Sequence, residues 1–144
     1  MTIYHDDKYG PAVATGIDLV SIERMAKAAG SPRFLARVFT DRELSYAFSR
    51  SSPQRHLAGR FAAKEAFAKA LGTGLGRVLS WKDVEVVRTG KGGEGGRPVI
   101  ELHRAARGFA AGRRTHLSIA YSRGLAAAVV VIERMGPDAP ARDK

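Results

Sequence analysis

The segment R-F-A-A-K-E-A-F-A-K-A-L-G-T-G, from Arg60 to Gly74, restricts the fold more than any other part of the chain. Alanine, lysine and glutamate favour a helix, and apolar residues recur at helical spacing from about Gln54 to Leu71. Glycine readily adopts the backbone conformation found just past a helix end, so Gly72 is expected to end the helix. The sequence therefore predicts one long central helix against which the other elements pack.

Shorter elements are predicted on both sides of this helix. Helix starts are marked by Ser21, by Ser31-Pro32 and by a capping box that begins at Thr40. Runs rich in β-branched residues, separated by glycine turns, indicate strands. The expected order is a strand over 11–20, helices that open at 22, 32 and 41, the long helix, strands over 84–87 and 98–102, a basic helical stretch over 103–111, and a hairpin of 116–122 with 125–133. This order indicates an α+β fold, not a regular alternation of strands and helices.

The length of 144 residues fits a single domain, which we expect over 11–135 between a leader (1–10) and a flexible tail (136–144). The longest apolar run, Leu125 to Ile132, is far shorter than the ~20 residues of a membrane-spanning helix, so no membrane segment is expected. The chain has no cysteine, and acids stand near its start where a signal peptide would be apolar. Both features favour a cytoplasmic protein.

The net charge of +10, with a pI near 10.5, predicts an anionic partner. Nucleic acid, an anionic membrane, a phosphorylated small molecule and an acidic protein all satisfy this requirement. The basic residues are spread over the whole chain, so composition alone does not choose among these partners.

Two acids stand in positions that apolar patterning does not explain. Asp18 interrupts the apolar strand V-A-T-G-I-D-L-V, and Glu65 lies within the long helix. A carboxylate taken out of water needs a partner, and two carboxylates could share Mg²⁺, which prefers oxygen ligands. The alternative is that Asp18 caps the following helix while Glu65 pairs with Lys69 at i,i+4. Spacing alone favours this second interpretation.

Several other residues have two interpretations. Arg60, Lys64 and Lys69 could donate to phosphates or could form a solvated helix flank. The turn Gly72-Thr73-Gly74 could offer amides to an anion, although a helix C-terminus is electrostatically the unfavourable end for one. His116 could touch a ligand at a strand end, or be structural. In each case the pattern alone favours the structural interpretation.

In sequence order, seven segments resemble the holo-acyl-carrier-protein synthases, the small single-domain type of 4'-phosphopantetheinyl transferase. The resemblance covers roughly 14–133, and the long helical motif is its most specific part. The segments are G-I-D-L-V (16–20), F-T-D-R-E-L (39–44), the helical motif (60–74), S-W-K-D-V-E-V (80–86), G-R-P-V-I (96–100), H-L-S-I-A-Y-S (116–122) and A-A-A-V-V-V-I-E (126–133).

The resemblance implies a 4'-phosphopantetheinyl transferase fold, in which helices pack on an antiparallel sheet, and a reaction that depends on Mg²⁺. The 4'-phosphopantetheine group would pass from coenzyme A to a serine of an apo acyl carrier protein, releasing adenosine 3',5'-bisphosphate. Asp18 and Glu65 would hold the metal and act in catalysis together with Lys69. The coenzyme would also be bound by Lys69 itself and by a further set of residues, namely Arg60, Gly72, Thr73, Gly74, Pro98 and His116.

The resemblance also implies partners. An acidic carrier protein would dock on Arg24 and Lys27, and the chain would form a homotrimer with active sites at subunit interfaces. Tyr121 stands where many relatives have histidine or aspartate, and either Arg50 or Arg55 could read the 3'-phosphate. The main rival, a basic nucleic-acid-binding protein, explains the charge but not acids inside basic motifs. A metal-dependent phosphohydrolase would usually need more carboxylates.

Overall fold

The computed structural model describes residues 11–93 and 95–136. The predicted leader, 1–10, and nearly all of the predicted tail lie outside the described residues. The α+β class, the antiparallel sheet and the single long helix are confirmed. The elements are β1 (Val13–Ser21), α1 (Ile22–Ala28), α2 (Pro32–Val38), α3 (Asp41–Phe48), α4 (Pro53–Leu71), β2 (Val84–Arg88), β3 (Pro98–Leu102), β4 (Arg113–Ser122) and β5 (Leu125–Arg134), with short 3₁₀ helices at Trp81–Asp83, Lys91–Gly93 and Arg104–Ala110.

Local hydrogen bonds set the helix ends as predicted. The hydroxyls of Ser21 and Ser31 accept backbone N–H groups three residues onward, at 3.2 and 3.3 Å, and cap α1 and α2. Thr40 and Glu43 form both bonds of the capping box that opens α3. Gly72 ends α4 with a left-handed φ of 70°. These contacts join residues close in sequence, which is why the sequence alone could predict them.

Several boundaries differ from the predictions, the largest at β4, which begins at Arg113 and not at 116, and the basic stretch has its own helix type. β1 begins at Val13, and α4 begins at Pro53, where a missing backbone N–H costs little. The basic stretch is a 3₁₀ helix, not an α-helix, and opens at Arg104 with a φ of 47°. That positive φ lies outside the α-helical range, so a regular α-helix cannot start there.

The three-stranded sheet has the order β1-β5-β4 and is antiparallel throughout, while β2 and β3 form a second antiparallel pair. α4 packs on the inner face of the larger sheet. The approach is closest at Gly16, where an added Cβ would overlap the carbonyl oxygen of Ala66 and lie 2.8 Å from the backbone nitrogen of Ala70. Small residues on both elements therefore allow the helix and β1 to approach backbone to backbone.

The outer face of this sheet is apolar and exposed. Because side chains alternate along a strand, every second residue of β1 and β5 points away from α4. Five of these outward side chains are 40 to 64% exposed, namely Val13, Ile17, Leu19, Leu125 and Val129. Among the described residues, no helix combines the length and the apolar character needed to cross a bilayer.

The close approach of β1 to α4 predicts that Gly16→Ala is strongly destabilising. The new methyl group has to displace backbone, not a flexible side chain, so we expect a loss of about 3 kcal/mol and a fall in Tm on the order of 10 °C. Gly108→Ala is the matched control, because a Cβ at Gly108 meets no atom within 4 Å. Thermal unfolding of both variants measures the difference. Equal Tm values would show that β1 can move away from α4 at little cost.

Candidate active site

β1 delivers Asp18 to the inner face of the sheet. Ile17 and Leu19 point outward, so the alternation of the strand turns Asp18 toward α4, where its side chain is 16% exposed. Its Oδ1 accepts a hydrogen bond from Lys69 Nζ at 2.8 Å, and the same ammonium donates to the Ile17 carbonyl at 3.1 Å. Asp18 does not cap α1, because the hydroxyl of Ser21 does so. The capping interpretation of Asp18 is therefore wrong.

α4 presents Glu65 to the same place. Asp18 and Glu65 line one cleft of about 400 Å³. Burial raises the pKa of the Glu65 carboxyl, and the nearby Asp18 carboxylate raises it further, while Lys69 acts in the opposite direction. Two carboxylates beside one ammonium carry a net negative charge, which a further cation would balance. This donor set of carboxylate oxygens fits a hard cation such as Mg²⁺.

Lys69 lies at the last turn of α4, between the acids and the glycine turn. Its side chain is 54% exposed, and the hydrogen bond to Asp18 raises its pKa, so it stays charged. Lys69 makes its ion pair with Asp18, which contradicts the predicted Glu65–Lys69 pairing. Just beyond it, the buried Thr73 hydroxyl oxygen has no hydrogen-bond partner among the described residues. A cation and an unsatisfied hydroxyl thus lie within one turn of each other.

Arg60 and Lys64 do not form a solvated helix flank, so that interpretation is wrong. Lys64 is fully buried, and its ammonium bonds to Glu43 at 2.8 Å, which also makes it unavailable to a phosphate. Arg60 is 5% exposed and stacks on Tyr46, with its guanidinium carbon 4.1 Å from the ring centroid. Its Nε has no hydrogen-bond partner among the described residues.

Arg60 lines a second cavity of about 490 Å³ between α3, α4 and β2. Arg42, Tyr46 and Arg88 line it too, together with the glycines of the Lys91–Gly93 turn. The role of Tyr46 was not predicted, since nothing in its spacing distinguishes it from a core aromatic. Three arginine side chains and an aromatic ring make this cavity suitable for an anionic, planar ligand.

A basic and aromatic cluster borders this cavity. Arg50 stacks on Tyr46 at 4.5 Å, and Arg55 stacks on Tyr121 at 4.3 Å. His56 lies beside both rings, and its pKa is lowered first by burial and then by the surrounding arginines. Tyr121 thus serves as a surface on which Arg55 is held. Both arginines considered for the 3'-phosphate belong to this one cluster.

The remaining predicted residues lie apart from the acids. Pro98 pairs in register with Arg88, which lines the second cavity. His116 is on the outer face of the sheet, opposite to Asp18, with its Nε2 3.1 Å from Glu133 Oε1. One chain by itself therefore does not bring His116 into the cleft of Asp18.

α1 borders the cleft of Asp18 and Glu65. Arg24 lines the cleft, whereas Lys27 is exposed and pairs with Glu23 at 3.4 Å. The apolar side chains of Met25, Phe34 and Phe61, which were not predicted as site residues, complete the wall. Their helical spacing marks them as core residues, so the sequence carried no separate signal for them.

A second acidic group was also missed. Glu85, Glu101 and His103 offer ligand atoms within 4.8 Å of one another. However, Arg42 Nη1 lies 2.9 Å from Glu85 and 3.0 Å from Glu101, so a guanidinium already bridges the two carboxylates. Thr40 also donates to Glu85. We interpret this group as a structural ion-pair network that joins α3 to the β2–β3 pair.

The chain is similar to known proteins. Residues 14–130 match the family model of the 4'-phosphopantetheinyl transferase superfamily. A holo-acyl-carrier-protein synthase from Geobacillus kaustophilus is 47% identical over 133 residues, which cover 90% of this chain and 95% of the relative.

Solved structures are similar as well. The holo-acyl-carrier-protein synthase from Bacillus anthracis, in complex with CoA (3',5'-ADP), superposes with a TM-score of 0.69 at 34% identity, covering 84% of this chain and 96% of that one. The Helicobacter pylori holo-acyl-carrier-protein synthase in complex with coenzyme A gives a TM-score of 0.70 at 32% identity, covering 83% and 99%. The resemblance predicted from the motifs is confirmed: this chain belongs to the 4'-phosphopantetheinyl transferase superfamily.

Proposed function

We propose that the chain transfers 4'-phosphopantetheine from coenzyme A to a serine of an apo acyl carrier protein. The serine hydroxyl attacks the β-phosphorus of coenzyme A, and adenosine 3',5'-bisphosphate leaves. Family membership supports this reaction, as do relatives that are holo-acyl-carrier-protein synthases, two of them solved with coenzyme A or its fragment. The observation that carries the proposal for this chain is the cleft that Asp18 and Glu65 share beside Lys69.

In this proposal Asp18 and Glu65 hold Mg²⁺. Their fit rests on two carboxylates in one open cleft, where burial and then the Asp18 carboxylate raise the pKa of Glu65. When bound, the metal supplies charge stabilisation on the diphosphate of coenzyme A. Lys69 donates to the same phosphates from the edge of the cleft, and its charge offsets the unfavourable end of the α4 dipole. Phosphoryl transfer depends mainly on such positioning and charge.

Glu65 has a second proposed role, as the route by which the proton leaves the serine hydroxyl, directly or through a water. Glu65 lies in the cleft that the serine would enter, so its carboxylate is placed to accept that proton. Beyond α4, the turn formed by Gly72, Thr73 and Gly74 lines the coenzyme site. The unsatisfied Thr73 hydroxyl supports this assignment, because a phosphate oxygen would give it a partner.

We assign the nucleotide part of coenzyme A to the second cavity, where Arg60 would bind it together with Pro98 and with His116 of a neighbouring chain. The arginines of this cavity suit phosphates, and Tyr46 offers a ring beside them. His116 lies on the opposite face of the sheet from Asp18, so a complete site requires residues from two chains. This requirement supports a homotrimer with interfacial active sites. The exposed apolar outer face of the sheet supports it as well, because large apolar patches mark interfaces.

The positive charge of the chain would help to bind the carrier protein. Acyl carrier proteins are acidic, and Arg24 lies at the edge of the cleft where the serine would enter. We propose that Arg24 and Lys27 dock the carrier protein by charge complementarity, which speeds encounter and makes it sensitive to salt. We also propose that the chain has one catalytic domain over 11–135 and a cytoplasmic location. It would bind neither nucleic acids nor membranes.

Removal of either acid tests the central assignment. We expect Asp18→Asn and Glu65→Gln to lower kcat on the order of 10²-fold or more, because each removes a charge on which the metal depends. Mass spectrometry of an apo carrier protein incubated with coenzyme A and Mg²⁺ measures the phosphopantetheine adduct. Glu23→Gln, an exposed acid on α1, is the control. Normal turnover by Glu65→Gln would eliminate its proton role, and a wild-type protein stabilised by duplex DNA but not by coenzyme A with Mg²⁺ would refute the reaction.

The docking proposal predicts that a substitution on α1 weakens binding of the carrier protein but not of coenzyme A. Arg24→Glu should raise the KM for the carrier protein about tenfold through charge repulsion, and leave coenzyme A affinity unchanged. Steady-state kinetics with each substrate varied in turn measures both. Arg107→Glu reverses an exposed charge on the 3₁₀ helix and serves as the matched control. The docking assignment fails when both variants behave alike.

The oligomer proposal predicts that Ile17→Glu separates the chains. A carboxylate on the outer face would be buried at the interface without a partner, which is strongly unfavourable. Sedimentation equilibrium should show the mass fall from three chains to one, and transfer activity should fall with it. Phe48→Glu, an equally exposed apolar residue on α3, should keep the mass. A wild-type protein that sediments as one chain and is fully active would exclude an interfacial site.

A further inference from the structure

A fully buried lysine, Lys64, lies one residue before Glu65 on α4. Lys64 and Glu43 form an ion pair at 2.8 Å, and both side chains are 0% exposed. The Lys64 ammonium also donates to the Val38 carbonyl at 2.8 Å and to the Trp81 carbonyl at 2.9 Å. An ammonium has three N–H donors, so all of them are used.

Glu43 is equally saturated. One of its oxygens accepts the Val86 backbone N–H at 2.8 Å, and the other accepts the Thr40 N–H at 2.9 Å together with the Lys64 ammonium. The pair thereby ties α4 to the end of α2, the start of α3, the Trp81–Asp83 turn and β2. A fully hydrogen-bonded buried network of this kind is rigid, because each group has one favourable geometry.

The rest of α4 packs mainly through apolar contacts, including those of the large buried side chains of Leu57 and Phe67. Toward the sheet the helix presents small side chains, including Ala62, Ala63, Ala66 and Ala70, and Gly16 of β1 faces it. Apolar contact is not directional, and methyl groups form no deep ridges that would resist a small turn about the helix axis. The three bonds of Lys64 are directional and fully buried, so they fix the rotation more sharply than the apolar contacts do.

The rotation of α4 decides where Glu65 points. Neighbouring residues are about 100° apart around a helix, and side-chain tips lie about 5–6 Å from the axis. A turn of about 10° would therefore move the Glu65 carboxylate by about 1 Å relative to Asp18. Misplacement of a catalytic group by 1 Å can cost about 10²-fold in rate.

We propose that Glu43 and Lys64 are positioning residues, whose buried ion pair fixes α4 so that Glu65 faces Asp18. The pair touches neither cavity and acts through Glu65. This inference rests on the proposed function, because Glu65 must be a ligand of the reacting complex for its position to matter. Removing one partner of a buried ion pair lowers stability, so a purely structural role predicts a lower Tm with normal kcat below it, whereas a positioning role predicts a loss of kcat as well.

The test compares Lys64→Met and Glu43→Gln with Val84→Ala, a fully buried residue of β2 whose loss lowers Tm without touching the pair. All are assayed well below their Tm values. We expect the two pair variants to lose about 10- to 100-fold in kcat and to bind coenzyme A with Mg²⁺ about tenfold more weakly by titration calorimetry. The KM for the carrier protein, which docks on α1, should stay within about twofold, and Val84→Ala should match the wild type.

Pair variants whose kcat and coenzyme A affinity stay within about twofold of Val84→Ala would overturn the proposal, whatever their Tm. Should Lys64→Met fail to fold, Glu43→Gln decides by the same comparison, because it keeps the side-chain volume while it removes the charge and one hydrogen-bond acceptor. A wild-type protein that neither transfers the group nor binds coenzyme A would refute the proposed function instead. The two failures are thus distinguishable.

Discussion

The backbone contact between β1 and α4 is the constraint on which the rest of this structure depends. Gly16 has no side chain, and the alanines of α4 add little bulk, so strand and helix meet at a distance that larger residues would forbid. Two residues after Gly16 the strand carries Asp18, and α4 carries Glu65 and Lys69 on the adjoining turns. The contact that packs the core thus also brings the two carboxylates into one cleft with their ammonium.

The charged residues of α4 differ in how deeply they are buried. Lys64 and Lys69 are the same residue type on one helix, yet Lys64 is fully enclosed while Lys69 is half-exposed beside Asp18. The enclosed lysine is fixed by three bonds, whereas the exposed one is available to the phosphates of the proposed reaction. Arg60, one turn before Lys64, lines the second cavity. α4 therefore contributes side chains to both cavities.

The residues of the proposed site face different directions. Asp18 and Glu65 open toward α1, where Arg24 stands, whereas His116 lies on the far side of the sheet. The apolar side chains exposed on that far side need a cover, and a neighbouring chain would supply both the cover and the missing residues. Catalysis and assembly would then depend on the same surface. The acidic group of Glu85 and Glu101, by contrast, is satisfied within the chain by Arg42.

Reading the sequence was enough to predict the α+β class, the long helix, the caps at Ser21, Ser31 and Thr40, and the end of α4 at Gly72. It also singled out Asp18 and Glu65. Helix caps and strand patterns rest on hydrogen bonds and alternation within a few residues, so local sequence is enough to specify them. The burial of Lys64 against Glu43 and the pairing of Lys69 with Asp18 could be seen only in the folded chain. Those pairings join residues far apart in the chain, and which of two similar lysines is enclosed depends on how the folded elements pack around it.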